Sequence, residues 1–298
     1  MRPSPEQLMR RAGRASFVTA LTLIALKAYA AFHTGSLALA GTLMDSGLDL
    51  LVSLMSVIAI ETAIQPADLE HRFGHGKAEG VAGLLQAIVV SLSAVALAGV
   101  SIYHLAEPTP VESGGIAVGV LLVSMAMTWI LLRYQRYVFR ETGSLAVKSD
   151  SMHYKSDFAM NGGVLLSIGL SVWGGFSWAD PMCGLAVAAW VMKSAVDIGK
   201  GALDMLLDSE LPDEERDRVL AIIGSHKEVR GVHDLRTRQS GRSPMFQFHL
   251  ELDAEMTLAR AHVISDEVEQ LIHDQIGNAE VLVHLDPDDL PPDEPDLK

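Results

Sequence analysis

The chain has 298 residues, 49% of them apolar, with a mean hydropathy of +0.25 and a formal net charge of −14. That balance excludes a basic nucleic-acid surface, and it is too apolar for an ordinary soluble protein so rich in acidic groups. From Glu210 onward 9 Lys/Arg stand against 21 Asp/Glu, a net of −12, which leaves only −2 for everything before it. The charge break predicts a membrane domain over residues 1–209, a soluble acidic domain over 210–290 and a Pro-rich, acidic, disordered tail over 291–298.

Six segments reach the roughly 20 mostly apolar residues that a bilayer crossing requires: 15–33, 36–61, 81–103, 116–132, 146–173 and 178–207. The first follows a basic start and contains the triplet Ala28-Tyr29-Ala30, which imitates a cleavable secretory signal. Its length and the five spans after it argue for a retained helix. Lys27 lies inside this span without an evident role. The third and fourth spans are almost free of charge and read as scaffold.

The second and fifth spans are different. Asp45 and Asp49 sit in one, His153 and Asp157 in the other, each pair at i, i+4 and so on one helix face about 6 Å apart. A charge near the bilayer centre costs about 3 kcal/mol even on the lenient insertion scale, so such groups face a partner, a cavity or a passing ion. Three carboxylates and one imidazole make a complete tetrahedral set for a divalent metal such as zinc.

The loops set the topology. Arg10, Arg11 and Arg14 precede the first span, Arg72 and Lys77 follow the second, and Arg133, Arg136, Arg140 and Lys148 separate the fourth from the fifth. The alternate connections contain no Lys or Arg, so the positive-inside rule predicts both termini in the cytoplasm. The second and fifth spans then run antiparallel, which puts Asp45 level with Asp157 and Asp49 level with His153, about 20 Å below the outer helix ends.

The second loop, "ADLEHRFGHGKAE", holds Asp68, His71 and His75 as a further candidate metal set. Cys183 is single and lies in an apolar run, where a thiol packs rather than ligates.

Beyond the last span the pattern reads α-β-β-α-β. An acidic helix start opens it, followed by a strand around His233 and a strictly alternating strand with Phe246, Phe248, Leu250 and Leu252 on one face. An amphipathic helix ending at Gly277 and the strand "AEVLVHLDP" complete it. Together the segments predict a six-helix all-α transmembrane domain plus a small C-terminal α+β cytoplasmic domain, ferredoxin-like and similar to the metallochaperones. His284 and Asp286 point the same way on the last strand. With His233, His249 and His262 they supply ligands for one zinc, or for two bridged by Asp286. His226 and His273 have no patterned companion. No H-E-x-x-H or G-x-S-x-G element occurs, which speaks against a hydrolase.

The DxxxD and HxxxD pairs, the "HRFGHGK" loop, six spans and the acidic α+β domain together resemble the cation diffusion facilitators. The resemblance is in particular to the bacterial ferrous-iron and zinc efflux members, and it covers about residues 10–286. The resemblance implies a homodimer in the bacterial inner membrane that exchanges a cytoplasmic divalent cation for protons, a secondary transporter rather than an enzyme. It places the transport site on Asp45, Asp49, His153 and Asp157, a binuclear site on His233, His249, His262, His284 and Asp286, and a weaker site on Asp68, His71 and His75. Lys77 and Asp208 match positions of a charge interlock at the dimer contact. Asp at position 45 implies Zn2+, Fe2+ or Cd2+ as cargo, and His153 disfavours manganese. Manganese, cobalt or nickel transport, and a membrane metal sensor that moves nothing, remain as alternatives.

Overall fold

The computed structural model describes residues 3–34, 37–106, 115–174 and 178–289. They form two compact units that divide between Leu203 and Asp204, a few residues ahead of the break in charge. The acidic tail lies outside the described residues.

The first unit is six long helices: α1 (Pro5–Thr34), α2 (Leu37–Ala63), α3 (Ala78–Ala106), α4 (Gly115–Thr142), α5 (Leu145–Gly174) and α6 (Ala179–Leu206). Among the described residues, three stretches are long and apolar enough to cross a membrane: Ala78–Ala106, Val118–Thr142 and Pro181–Leu206. The other helices carry charges such as Lys27 and Asp157 within them, or include residues outside the description. This is fewer than the six expected from apolar runs.

Helix α1 begins ten residues before the apolar run, because Ser4-Pro5-Glu6-Gln7 is a capping box. The Ser4 hydroxyl accepts the Gln7 N–H, Gln7 Oε1 accepts the Ser4 N–H, both at 3.2 Å, and Pro5 takes the first helical position. This first turn is amphipathic rather than apolar. Leu8, Met9 and Ala12 are buried against Ala59, Ile60, Val138 and Val147, while Arg10 turns outward to Glu61 at 3.0 Å. Helix α4 likewise runs past its apolar stretch until Gly143, at φ +65°, stops it by donating to Phe139 O at 2.8 Å.

The helical interior is also polar. Gln86 of α3 donates to Ser56 of α2, Tyr154 of α5 joins Ser53 of α2 and donates to the Ser16 carbonyl of α1, and Gln135 of α4 donates to Ser16 and Asp150. In an apolar medium such bonds have no water competing for them, so they pin helix rotations that apolar packing alone would leave loose.

The second unit contains α7 (Asp213–Gly224), β1 (Gly231–Ser240), β2 (Ser243–Leu252), α8 (Leu258–Ile276) and β3 (Glu280–Pro287). The sheet order is β1-β2-β3, with β1/β2 an antiparallel hairpin and β2/β3 parallel, joined by α8 as the crossover. Phe246, Phe248, Leu250 and Leu252 point to one face, where Val219, Ile222 and Ile223 of α7 and Ile264, Val268 and Ile272 of α8 cover them. The opposite face carries His249 and Glu251. Phe248 is wholly buried and Gln247 beside it exposed. Phe248→Ala is expected to destabilise the separately expressed domain by about 3–5 kcal/mol and Gln247→Ala by less than about 0.5 kcal/mol, read from urea unfolding midpoints.

Candidate metal centres

Helices α2 and α5 cross so that Asp49 and His153 stand at one level. His153 Nε2 lies 3.0 Å from Asp49 Oδ1 and 3.7 Å from Asp157 Oδ2, one turn further along α5. Asp49 and His153 are buried and Asp157 is half-buried, and their ligand atoms fall within 4.8 Å of one another. A small cavity opens onto these three, walled by Val90 and Ala94 of α3, Met160 of α5 and Val191 of α6. Two acids and a ring nitrogen converging beside a mostly apolar wall offer hard and borderline donors that could hold a cation. Asp45 belongs to α2 one turn before Asp49, but its side chain lies outside the described residues. Lys27 reaches from α1 to α2, where its ammonium donates to Ser46 Oγ at 2.6 Å.

A second set forms in the loop between α2 and α3. Asp68 Oδ1 is 3.4 Å from His71 Nδ1, Asp68 Oδ2 is 3.5 Å from His75 Nε2, and the two rings lie 4.4 Å apart. Asp68 also accepts the backbone N–H groups of His71 at 2.6 Å and Glu70 at 2.9 Å. The loop is thereby folded by its own backbone. The His71 N–H, before any other influence, holds the Asp68 carboxyl below its ordinary value of 3.8.

The third set is built by strand register. His233, His249 and His284 are direct partners across β1, β2 and β3, so three rings line up on the sheet face away from the helices. Ring centroids are 5.0 Å apart for His233/His249 and 4.5 Å for His249/His284. Asp286 serves all three: 2.8 Å to His249 Nδ1, 3.2 Å to His284 Nε2 and 3.4 Å to His233 Nε2. His262 is not brought to this set. It stands exposed on α8, 3.7 Å from Asp266, and α8 covers the other face of the sheet. His226 pairs with Glu267 at 2.9 Å, and His273 lies 3.2 Å from the Gly277 carbonyl.

Sequence reasoning passed over four neighbours. Glu251 lies 2.8 Å from His233, Asp234 3.7 Å from His249, and Asp150 and Glu79 are buried acids in the helical unit. Asp150 sits three residues before His153, a helical spacing that could have marked it. Asp208, which the resemblance assigns to a charge interlock at a dimer contact, lies 3.1 Å from Arg238.

The cation efflux transmembrane domain model matches residues 14–207, and the cation efflux protein cytoplasmic domain model matches 211–288. The chain belongs to the cation efflux family. Among its relatives, the cation-efflux pump FieF of Klebsiella pneumoniae subsp. pneumoniae is 41% identical across 98% of this chain and 97% of its own. The FieF of Yersinia enterocolitica is 40% identical across 99% and 98%, and that of Serratia proteamaculans 41% across 96% and 95%. This cation efflux protein is therefore an integral membrane transporter with a helical transmembrane domain and a cytoplasmic domain built on a small mixed sheet.

Because the Asp68 carboxyl titrates below its ordinary value, it stays ionised across the whole range from about pH 7 to about pH 5.5. The side-chain carboxyl carbon-13 resonance of Asp68 is expected to stay at its ionised position between about pH 7 and about pH 5.5, and a titration midpoint inside that interval would overturn the assignment.

Proposed function

We propose that this cation efflux protein carries a divalent cation, Zn2+ and also Fe2+ or Cd2+, out of the cytoplasm in exchange for protons. The supporting observation is the convergence of Asp49, His153 and Asp157 at one level between α2 and α5, buried and facing a cavity. Asp45, one turn from Asp49 on the same helix, is the fourth ligand of this reading. A tetrahedral site of three carboxylates and one imidazole suits zinc and ferrous iron better than manganese, since imidazole is a poor manganese ligand.

Exchange follows from ligand chemistry. The cation needs ionised carboxylates and a neutral ring nitrogen, so it competes with protons for the same side chains. When the site faces the cytoplasm, cation displaces protons. When it faces outward, protons drawn by the inward gradient displace cation, and rearrangement of the helices around the site switches between the two. On this reading all six long helices cross the bacterial inner membrane with both termini in the cytoplasm, as the basic loops require.

The domain following α6 is proposed to hold zinc at His233, His249, His284 and Asp286 and to pair two subunits. In a homodimer, Lys77 and Asp208 form the charge interlock at the contact between subunits. Asp68, His71 and His75 form the weaker loop site.

Protein reconstituted in liposomes under an imposed pH gradient tests the reading. Zinc, ferrous iron and cadmium uptake should exceed manganese, cobalt and nickel uptake, and Asp49→Ala should lower zinc uptake by about tenfold or more. Equal uptake by parent and variant removes the transport-site assignment, and binding without any flux makes the protein a sensor. In the separate domain, His233→Ala combined with Asp286→Ala should weaken zinc binding, and an unchanged isotherm would count against the cytoplasmic site.

A further inference from the structure

Glu79, the second residue of α3, is wholly buried and belongs to none of the three ligand sets. Its carboxylate crosses to the start of α5. Oε2 accepts the backbone N–H groups of Leu145 at 2.6 Å and Ala146 at 3.3 Å, and Oε1 accepts the Ser144 hydroxyl at 2.9 Å. Ser144 in turn accepts the Val147 N–H at 3.3 Å. The N–H groups that open a helix have no partner within it, and here a neighbouring helix supplies one as a negative charge at the positive end of the α5 dipole.

One turn along α3, Gly83 lets the two helices approach. A Cβ there would lie 3.2 Å from Ser149 Oγ, 3.4 Å from Ala202 Cβ and 3.5 Å from Leu145 Cδ2. The first turns of α5 are thus gripped by α3 through a carboxylate cap and a close glycine contact. His153 and Asp157 follow on the same helix, about 12 to 18 Å along its axis from Leu145. Helix α3 also walls the site with Val90 and Ala94, so one element shapes the cavity and holds the end of the helix that delivers two ligands.

We propose that Glu79 is a positioning residue of the cation site, setting the height and rotation of α5 and hence the spacing of His153 and Asp157 from Asp49. This rests on the proposed intramembrane cation site. A helix behaves as a stiff rod over this length, so loosening its first turn changes the ligand spacing that a small cation requires.

The test is equilibrium zinc titration of full-length protein in detergent, in a background of Asp68→Ala and Asp286→Ala so that the intramembrane set is read, with zinc flux in liposomes alongside. Glu79→Ala should weaken zinc binding per folded molecule by about tenfold or more, as loss of an outer supporting contact does elsewhere. Glu79→Gln, which keeps an acceptor oxygen for the N–H groups, should bind within about threefold of the parent. Glu79→Asp, one methylene short of α5, should follow Ala and serves in its place if the Ala variant does not fold. Parent-like zinc affinity in Glu79→Ala or Glu79→Asp overturns the proposal, as does equal weakening by Gln and Ala. Asp49→Ala runs in parallel: if it binds zinc as the parent does, the site reading itself fails, whereas its loss of binding beside an unaffected Glu79→Ala removes only the positioning role.

Discussion

A carboxylate enclosed by apolar helices must be given something to face, because the surroundings offer no water to carry its charge. Among the described residues of the helical domain, three buried acids meet this demand in three ways. Asp150 receives hydrogen bonds from Ser16 and Gln135, polar but uncharged groups on α1 and α4. Glu79 receives the opening N–H groups of α5. Asp49 faces the His153 ring, with Asp157 beside it.

The difference among these solutions separates scaffold from site. The hydrogen bonds that Asp150 and Glu79 accept come from amide, hydroxyl and backbone groups that cannot change their charge, so those contacts act as fixed joints between helices. A ring nitrogen facing two carboxylates can lose its proton and leave the same atoms pointing at a cation. Of the buried acids among the described residues, only the Asp49 group borders the cavity. The joints and the site share α5, which has the Glu79 cap at one end and, further along, Tyr154 braced to α1 and α2 between His153 and Asp157.

In the cytoplasmic domain a sheet does what crossed helices do in the transmembrane domain. Register across β1, β2 and β3 stacks His233, His249 and His284 on one face, and the alternation of β2 assigns the other face to the apolar core. A slip of one residue would exchange the two faces, so the packing of Phe246 and Phe248 against α7 and α8 also maintains the histidine ladder. Asp286, two residues after His284 on the same face, completes it.

Periodicity and spacing along the chain were enough to determine that Asp49, His153 and Asp157 lie on buried helix faces, that β2 alternates, and that the order after α6 is α-β-β-α-β. Each of these is a local property, visible in neighbours two to four residues apart. The start of α1 was missed because a hydropathy window rewards apolar runs, and the helix opens with an amphipathic turn held by Ser4 and Gln7. His262 was grouped with the other histidines by its residue type, while α8 packs on the sheet face they avoid. The cap that Glu79 places on α5, the Asp150 junction and the exact partners of Asp286 were decided only when distant segments met. Such contacts depend on helix rotation and strand register, which packing of the whole chain sets and no local pattern encodes.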